Sequence, residues 1–133
     1  MEIIKGRPIV EGYAKGEALT SSSPINFLKG VDPKRGVIIE KGHPLEGECI
    51  TGKILCFPHG CGSTVGSYTL YSLSRRGVGP KAIVNEAADL VVVVGAIIGE
   101  IPMVDGVDVK KIRSSDTVEV DGNTGLVKIF RRE

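Results

Sequence analysis

The sequence contains no tryptophan and only three tyrosines and three phenylalanines. So few rings leave little on which successive bases could stack, which argues against single-stranded nucleic acid as a ligand. It also lacks an excess of either charge. Lys and Arg number 17 against 16 Asp and Glu, a formal net charge of +1 spread along the chain. A basic face for nucleic acid is therefore not expected. Three cysteines are an odd number, and the opening "MEIIKGRPIVEG" has neither a long apolar core nor a small-residue cleavage site. Both features argue against a disulfide framework and for a soluble, cytoplasmic protein. The longest apolar run, "LVVVVGAII" from Leu90 to Ile98, is followed by Glu100 and is about half of a membrane span, so no membrane partner is expected.

What the chain has in quantity is glycine. Eighteen in 133 residues is about twice ordinary usage, and they stand singly among short apolar runs. That pattern implies sharp turns in a strand-rich body. The length suits one domain, residues 1–133, able to bury roughly two thirds of its unfolded surface. Two early strands are expected in "EIIKG" and "IVEGYAKGEAL", then a loop with a short extended piece around Ile25 to Leu28. "GVIIE" and Lys53 to Phe57 read as strands. "SYTLYSLSRRG" predicts a helix with Tyr68, Leu70, Tyr71 and Leu73 on its apolar side and Gly77 as its stop. With "PKAIVNE" as the next strand, this is a strand–helix–strand crossover with parallel strands. In the valine run propensity favours a strand, but Asp89 offers a cap. A helix from about Asp89 to Gly99 is expected, then a short strand "IPMV". "DTVEVDGNTGLVKIF" predicts a hairpin. The fold class is α+β.

The stretch "KILCFPHGCGSTVGSYTLYSL", Lys53 to Leu73, carries the chemistry. Its glycine-rich turn lies at the carboxyl end of a parallel strand and opens a helix, where α/β sheets present ligands. Glycines there let backbone N–H groups gather into a concave nest, and the helix N-terminus adds positive charge. The turn is neither a Walker loop nor a dinucleotide fingerprint, since it lacks the lysine of the first and the spacing of the second. Two readings stand. One is a plain strand-to-helix turn with Ser67 as N-cap. The other is an anion site in which Gly60, Gly62, Thr64, Gly66 and Ser67 bind substrate around Ser63. A turn needs one cap, yet Ser63, Thr64 and Ser67 cluster here, which favours the second.

Cys49, Cys56 and Cys61 have C-x6-C-x4-C spacing, which matches neither a zinc ribbon nor a ferredoxin run. With His43 and His59 they could still form a metal site, but the simpler reading makes Cys56 a buried strand residue and Cys49 a loop or strand thiol. No metal site is assigned to this chain. His59 and Cys61 also invite a cysteine–histidine reading, for which no orienting carboxylate is visible. Arg75 and Arg76 read as a solvated helix end, with partner docking or phosphate holding as the alternative. Tyr68 and Tyr71 read as core or rim aromatics, and Val91 to Val94 as core.

"PHGCGSTVGS", with "GRPIVEGYAKGEAL" and "SPINFLKGVDP" before it and "AIVNEAADLVVVVGAIIGEIPMVDG" after it, resembles the small swivelling-domain subunit of the archaeal aconitase-X type hydro-lyases. The resemblance covers nearly the whole chain and implies a swivelling β/β/α domain. It implies dehydration of (R)-5-phosphomevalonate to trans-anhydromevalonate 5-phosphate in an archaeal mevalonate route to isoprenoids, with Ser63 as proton acceptor. It also implies a large catalytic subunit as partner, carrying an iron–sulfur cluster, and no cofactor on this chain. Where the family pattern often has arginine this chain has Cys61, so no cation is implied beside Ser63. The chemistry is coherent: a serine is a poor base unless its alkoxide is stabilised, and hydroxide departure needs a Lewis acid. Swivelling domains also serve as phosphohistidine carriers, which makes His59 the alternative functional residue on grounds of fold alone.

Overall fold

A computed structural model describes residues 1–131. In chain order the elements are β1 (Glu2–Lys5), β2 (Arg7–Val10), β3 (Tyr13–Thr20), β4 (Val31–Asp32), β5 (Val37–Ile38), β6 (Ile54–Phe57), α1 (Gly66–Arg75), β7 (Ala82–Asn85), α2 (Leu90–Ile98), β8 (Met103–Asp105), β9 (Thr117–Asp121) and β10 (Leu126–Phe130). Three early strands form where two were expected, because the chain breaks at Gly6 as well as before Tyr13. Val37–Ile38 is all that pairs within "GVIIE". Of the segment Ile25 to Leu28, only Ile25 is extended enough to bridge, and it does so with Gly60.

Strand β3 joins two sheets. Its first half, Tyr13 to Glu17, pairs antiparallel with β9, while Ala18 to Thr20 pair parallel with β6. The strand order is β1-β10-β9-β3-β6-β7-β8-β2. The expected hairpin is present as β9 against β10, with Val127 opposite Val120. The expected crossover is also present, with β6 and β7 parallel and Cys56 opposite Val84.

Side-chain alternation along the central strands explains the layering. Successive residues of a strand face opposite sides, and in β6 and β7 every residue is buried. Ile54, Cys56, Ala82 and Val84 pack against Val118, Val120, Val127 and Ile129 of the β1-β10-β9-β3 sheet. Leu55, Phe57 and Ile83 pack instead against Leu70, Leu73, Val92 and Ala96 of the helices. Sheet on sheet on helix pair is the β/β/α arrangement.

The valine run is helical, as α2. Its buried residues Val92, Gly95 and Ala96 stand at i, i+3 and i+4, the stripe that covers a sheet. Gly95 lets the helices close up, since a Cβ there would lie 2.9 Å from the Leu70 side chain. Valine is a weak helix former, but that small cost is outweighed by burying Val92 completely. The run is not core throughout, because Val94 is exposed. On α1, Leu70 and Leu73 face inward with Gly66 and Ser67, while Tyr68 points outward and Tyr71 sits at the edge. Among the described residues no helix is long and apolar enough to cross a membrane.

Candidate active site

The loop from Pro58 to Val65 joins the carboxyl end of β6 to α1, and three tethers hold it. Ile25 bonds it on both sides, its N–H donating to His59 O and its carbonyl accepting from Cys61 N at 3.1 Å. Asp89, at the start of α2, accepts the Gly60 N–H at 2.7 Å. Asn26 lies against Gly62, where a Cβ would come within 2.6 Å of Asn26 Nδ2. Gly62 has φ +94°, a left-handed conformation that glycine adopts without steric cost. Asp89 was expected as a cap, but its side chain makes no capping bond and crosses to the loop instead.

Ser63 is exposed. Its Oγ accepts the Val65 N–H at 3.2 Å, and its carbonyl accepts the Gly66 N–H at 2.9 Å. Ser63 therefore closes the first turn ahead of α1. Ser67 does not cap the helix: it lies inside α1, 6% exposed, with Oγ donating to Val91 O at 2.6 Å and N–H donating to Thr64 O. Both of its donors are engaged in helix contacts. The Gly60 amide is spent on Asp89 and that of Gly66 on Ser63. Among the described residues, none accepts from the amides of Gly62, Ser63 or Thr64. Three consecutive amides without an acceptor among the described residues, beside the left-handed Gly62, lie just before the positive end of a ten-residue helix. Free donors so placed can take an anion. The donor set thus centres on residues 62 to 64, with Gly60, Gly66 and Ser67 building its walls.

The other candidates lie apart from this chemistry. Cys56 is fully buried, and burial pushes its thiol up to about 12. Cys49 and Cys61 are exposed. Partial desolvation, then the charges of Glu40 and Asp89, raise the Cys61 thiol as well, so it is not an activated nucleophile. The ring of His43 is engaged on both sides, Nε2 with Pro24 O and Nδ1 with Leu45 N. His59 is exposed, and its Nδ1 donates to Gly60 O at 2.7 Å. Among the described residues no three His, Cys, Asp or Glu side chains gather as metal ligands. Arg75 and Arg76 sit at the far end of α1, about 15 Å of helix away from Ser63.

The Asp89 tether and the Asn26 wall were not anticipated. An acidic residue before an apolar run is a visible signal for Asp89, though it points to a cap; Asn26 has no sequence signal.

Comparison with known proteins agrees with the β/β/α fold. A family model described as the aconitase X swivel domain matches residues 3–129. The phosphomevalonate dehydratase small subunit of Pyrococcus furiosus is 53% identical over 127 residues, 96% of this chain and 95% of that protein. Its counterpart from Methanosarcina acetivorans is 47% identical over 131 residues, 96% of this chain and 91% of that protein. The crystal structure of Thermococcus kodakaraensis aconitase X in its holo-form superposes with a TM-score of 0.96 at 47% identity, covering 98% of this chain and all of that one. A solution structure of a UPF0107 protein superposes at 0.89 with 40% identity over 98% of this chain and all of that one. The β/β/α layering, the serine turn and these matches have one conclusion: the chain belongs to the aconitase X swivel domain family.

Proposed function

We propose that this chain is the small subunit of a heteromeric phosphomevalonate dehydratase, removing water from (R)-5-phosphomevalonate to give trans-anhydromevalonate 5-phosphate, with Ser63 as proton acceptor. The observation that carries the reading is the exposed Ser63 hydroxyl, already accepting one amide and flanked by the free amides of Gly62, Ser63 and Thr64. The names of the relatives support the reaction and the subunit role.

The chemistry follows from the loop. Dehydration beside a carboxylate needs a base for a weakly acidic proton. An alkoxide at Ser63 is stabilised by the Val65 N–H and by the α1 N-terminus, and more strongly once water is excluded. Ser63 is open to solvent in the lone chain, so a partner must supply that exclusion. The free amides of residues 62 to 64 suit an anionic group of the substrate. The departing hydroxide calls for a Lewis acid. We assign it to an iron–sulfur cluster on the large subunit, as the resemblance to the aconitase-X type hydro-lyases implies. A cytoplasmic setting fits the two exposed free thiols.

Anaerobic co-expression with the cognate large subunit tests the reading. The expected result is a complex that dehydrates phosphomevalonate, while the lone chain is colourless, iron-free and inactive. Stoichiometric iron on the lone chain, or a complex inert towards phosphomevalonate, contradicts it.

A further inference from the structure

The outer face of the helix pair carries side chains that a solvated surface does not explain. Val65 is 48% exposed, Tyr68 68%, Leu90 73% and Ile98 41%. Helix α2 reads "LVVVVGAII", with no polar side chain on any side, and a helix apolar all round is one that is covered all round. This chain buries the stripe of Val92, Gly95 and Ala96 and packs Val93 against the core, which leaves Leu90, Val94, Ile97 and Ile98 exposed. Between α1 and α2 runs a groove of about 450 Å³. Its lining extends from Thr64 and Val65 through Tyr68, Leu90 and Val94 to Ile98, and includes no charged side chain. At ordinary side-chain areas the groove's apolar residues expose on the order of 450 Å². That is within the range of the largest patch on a monomer and about half of the roughly 800 Å² that each partner gives to a standard interface.

We propose that this groove is the docking face for the large subunit, which seats an apolar segment in it. The inference rests on the functional reading above and adds the surface. Position names the occupant. The groove starts at Thr64, the residue after Ser63. A partner that encloses the reacting serine must therefore run across Val65, Tyr68 and Leu90. A second copy of this chain seated there would obstruct the approach to Ser63. The composition also fits a permanent interface, with charge absent from the centre and a tyrosine as anchor. The face is preformed, since the close approach at Gly95 packs α1 and α2 as one body and interfaces of this kind dock with little backbone change.

Leu90→Glu in the full chain, paired with the cognate large subunit, is the test. A carboxylate in the first turn of α2 complements the helix dipole, so the thermal melt is expected to be unchanged. Affinity for the large subunit, read by titration calorimetry, is expected to fall about 100-fold, a central-residue effect. Turnover is expected to recover at excess large subunit, because the defect is in association. Tyr68→Ala is expected to act in the same direction, and Ile39→Glu, an exposed position off the groove, to leave affinity unchanged. Wild-type affinity for both Leu90→Glu and Tyr68→Ala, in a complex whose wild-type form is active, overturns the docking face and leaves the functional reading intact. A lone chain that dimerises through the groove, with the substitutions breaking only that dimer, overturns it in favour of a second copy. A wild-type pair that neither associates nor dehydrates removes the functional reading and the docking face together.

Discussion

The carboxylate of Asp89 accepts the N–H of Gly60 at 2.7 Å, so the residue that begins α2 holds the loop that carries Ser63. A helix-capping carboxylate ordinarily satisfies amides of its own first turn. Here it fixes the Ser63 loop to the second helix instead. The contact is close on both sides, because a Cβ at Gly60 would fall 2.5 Å from Val92 Cγ2 and 2.7 Å from Asp89 Oδ1.

Removing that tether has a measurable cost. Asp89→Ala is expected to destabilise the chain by about 1–3 kcal/mol, the cost of losing a hydrogen bond to a charged acceptor. Asp89→Asn, which keeps an acceptor oxygen, is expected to lose less. Urea unfolding curves check the ranking, and an Asp89→Ala variant as stable as wild type contradicts the tether.

Gly62 and Asn26 form a second test of the loop. Gly62→Ala meets both a backbone at φ +94° and the Asn26 amide at 2.6 Å. The expected loss is about 1–3 kcal/mol of stability. Adding Asn26→Ala is expected to relieve the steric share and leave the backbone share, giving a coupling of at least about 0.5 kcal/mol in a double-mutant cycle. Strict additivity argues against the contact.

Much of this architecture is legible in the residues alone. Helix α1 shows in "SYTLYSLSRRG" because a helical period and a terminal glycine coincide, and Gly77 indeed takes φ +74°. The β9–β10 hairpin shows because alternation and turn residues agree. A tally of apolar residues does not separate the two sides of a helix. Tyr68 shares the helix with Leu70 and Leu73 yet faces outward. A turn of about 100° per residue places it nearly opposite Leu70, away from the face of Gly66, Ser67, Leu70 and Leu73 that packs inward. At the site, the serine turn and its place between β6 and α1 are readable. Which amides stay free is not, because long-range partners decide it: Asp89 takes that of Gly60 and Ile25 takes that of Cys61. Ser67 illustrates the limit, since its role depends on Val91 O, 24 residues away.

The thiols are expected to differ in reactivity. Cys61 is exposed, but its raised thiol keeps the thiolate fraction low near neutral pH. Its alkylation by iodoacetamide should therefore run slower than that of free cysteine. Cys56, buried and pushed up to about 12, should label only in denaturant. Site-resolved mass spectrometry reads both rates, and a Cys61 faster than free cysteine contradicts the assigned environment.

The turn of the hairpin should respond to acid. Asp121 accepts the amides of Asn123 at 2.9 Å and Thr124 at 3.3 Å, and the Asn123 bond is the main cause holding its carboxyl below the ordinary value of 3.8. A depressed folded value means that the stabilisation is complete above the unfolded pKa and is lost as pH falls through the folded one. The amide NMR shifts of Asn123 and Thr124 should titrate with a midpoint below 3.8. A midpoint at or above that value contradicts the bond's role.

The most direct measurement is turnover of the reconstituted complex carrying Ser63→Ala. Because Ser63 also accepts the Val65 amide, a loss of about 1 kcal/mol in stability is expected, with the fold and the association with the large subunit retained. Turnover of phosphomevalonate should fall by about 10²–10⁴-fold, the worth of a positioned base. A Ser63→Ala complex that dehydrates at close to the wild-type rate contradicts the assignment of Ser63 as proton acceptor.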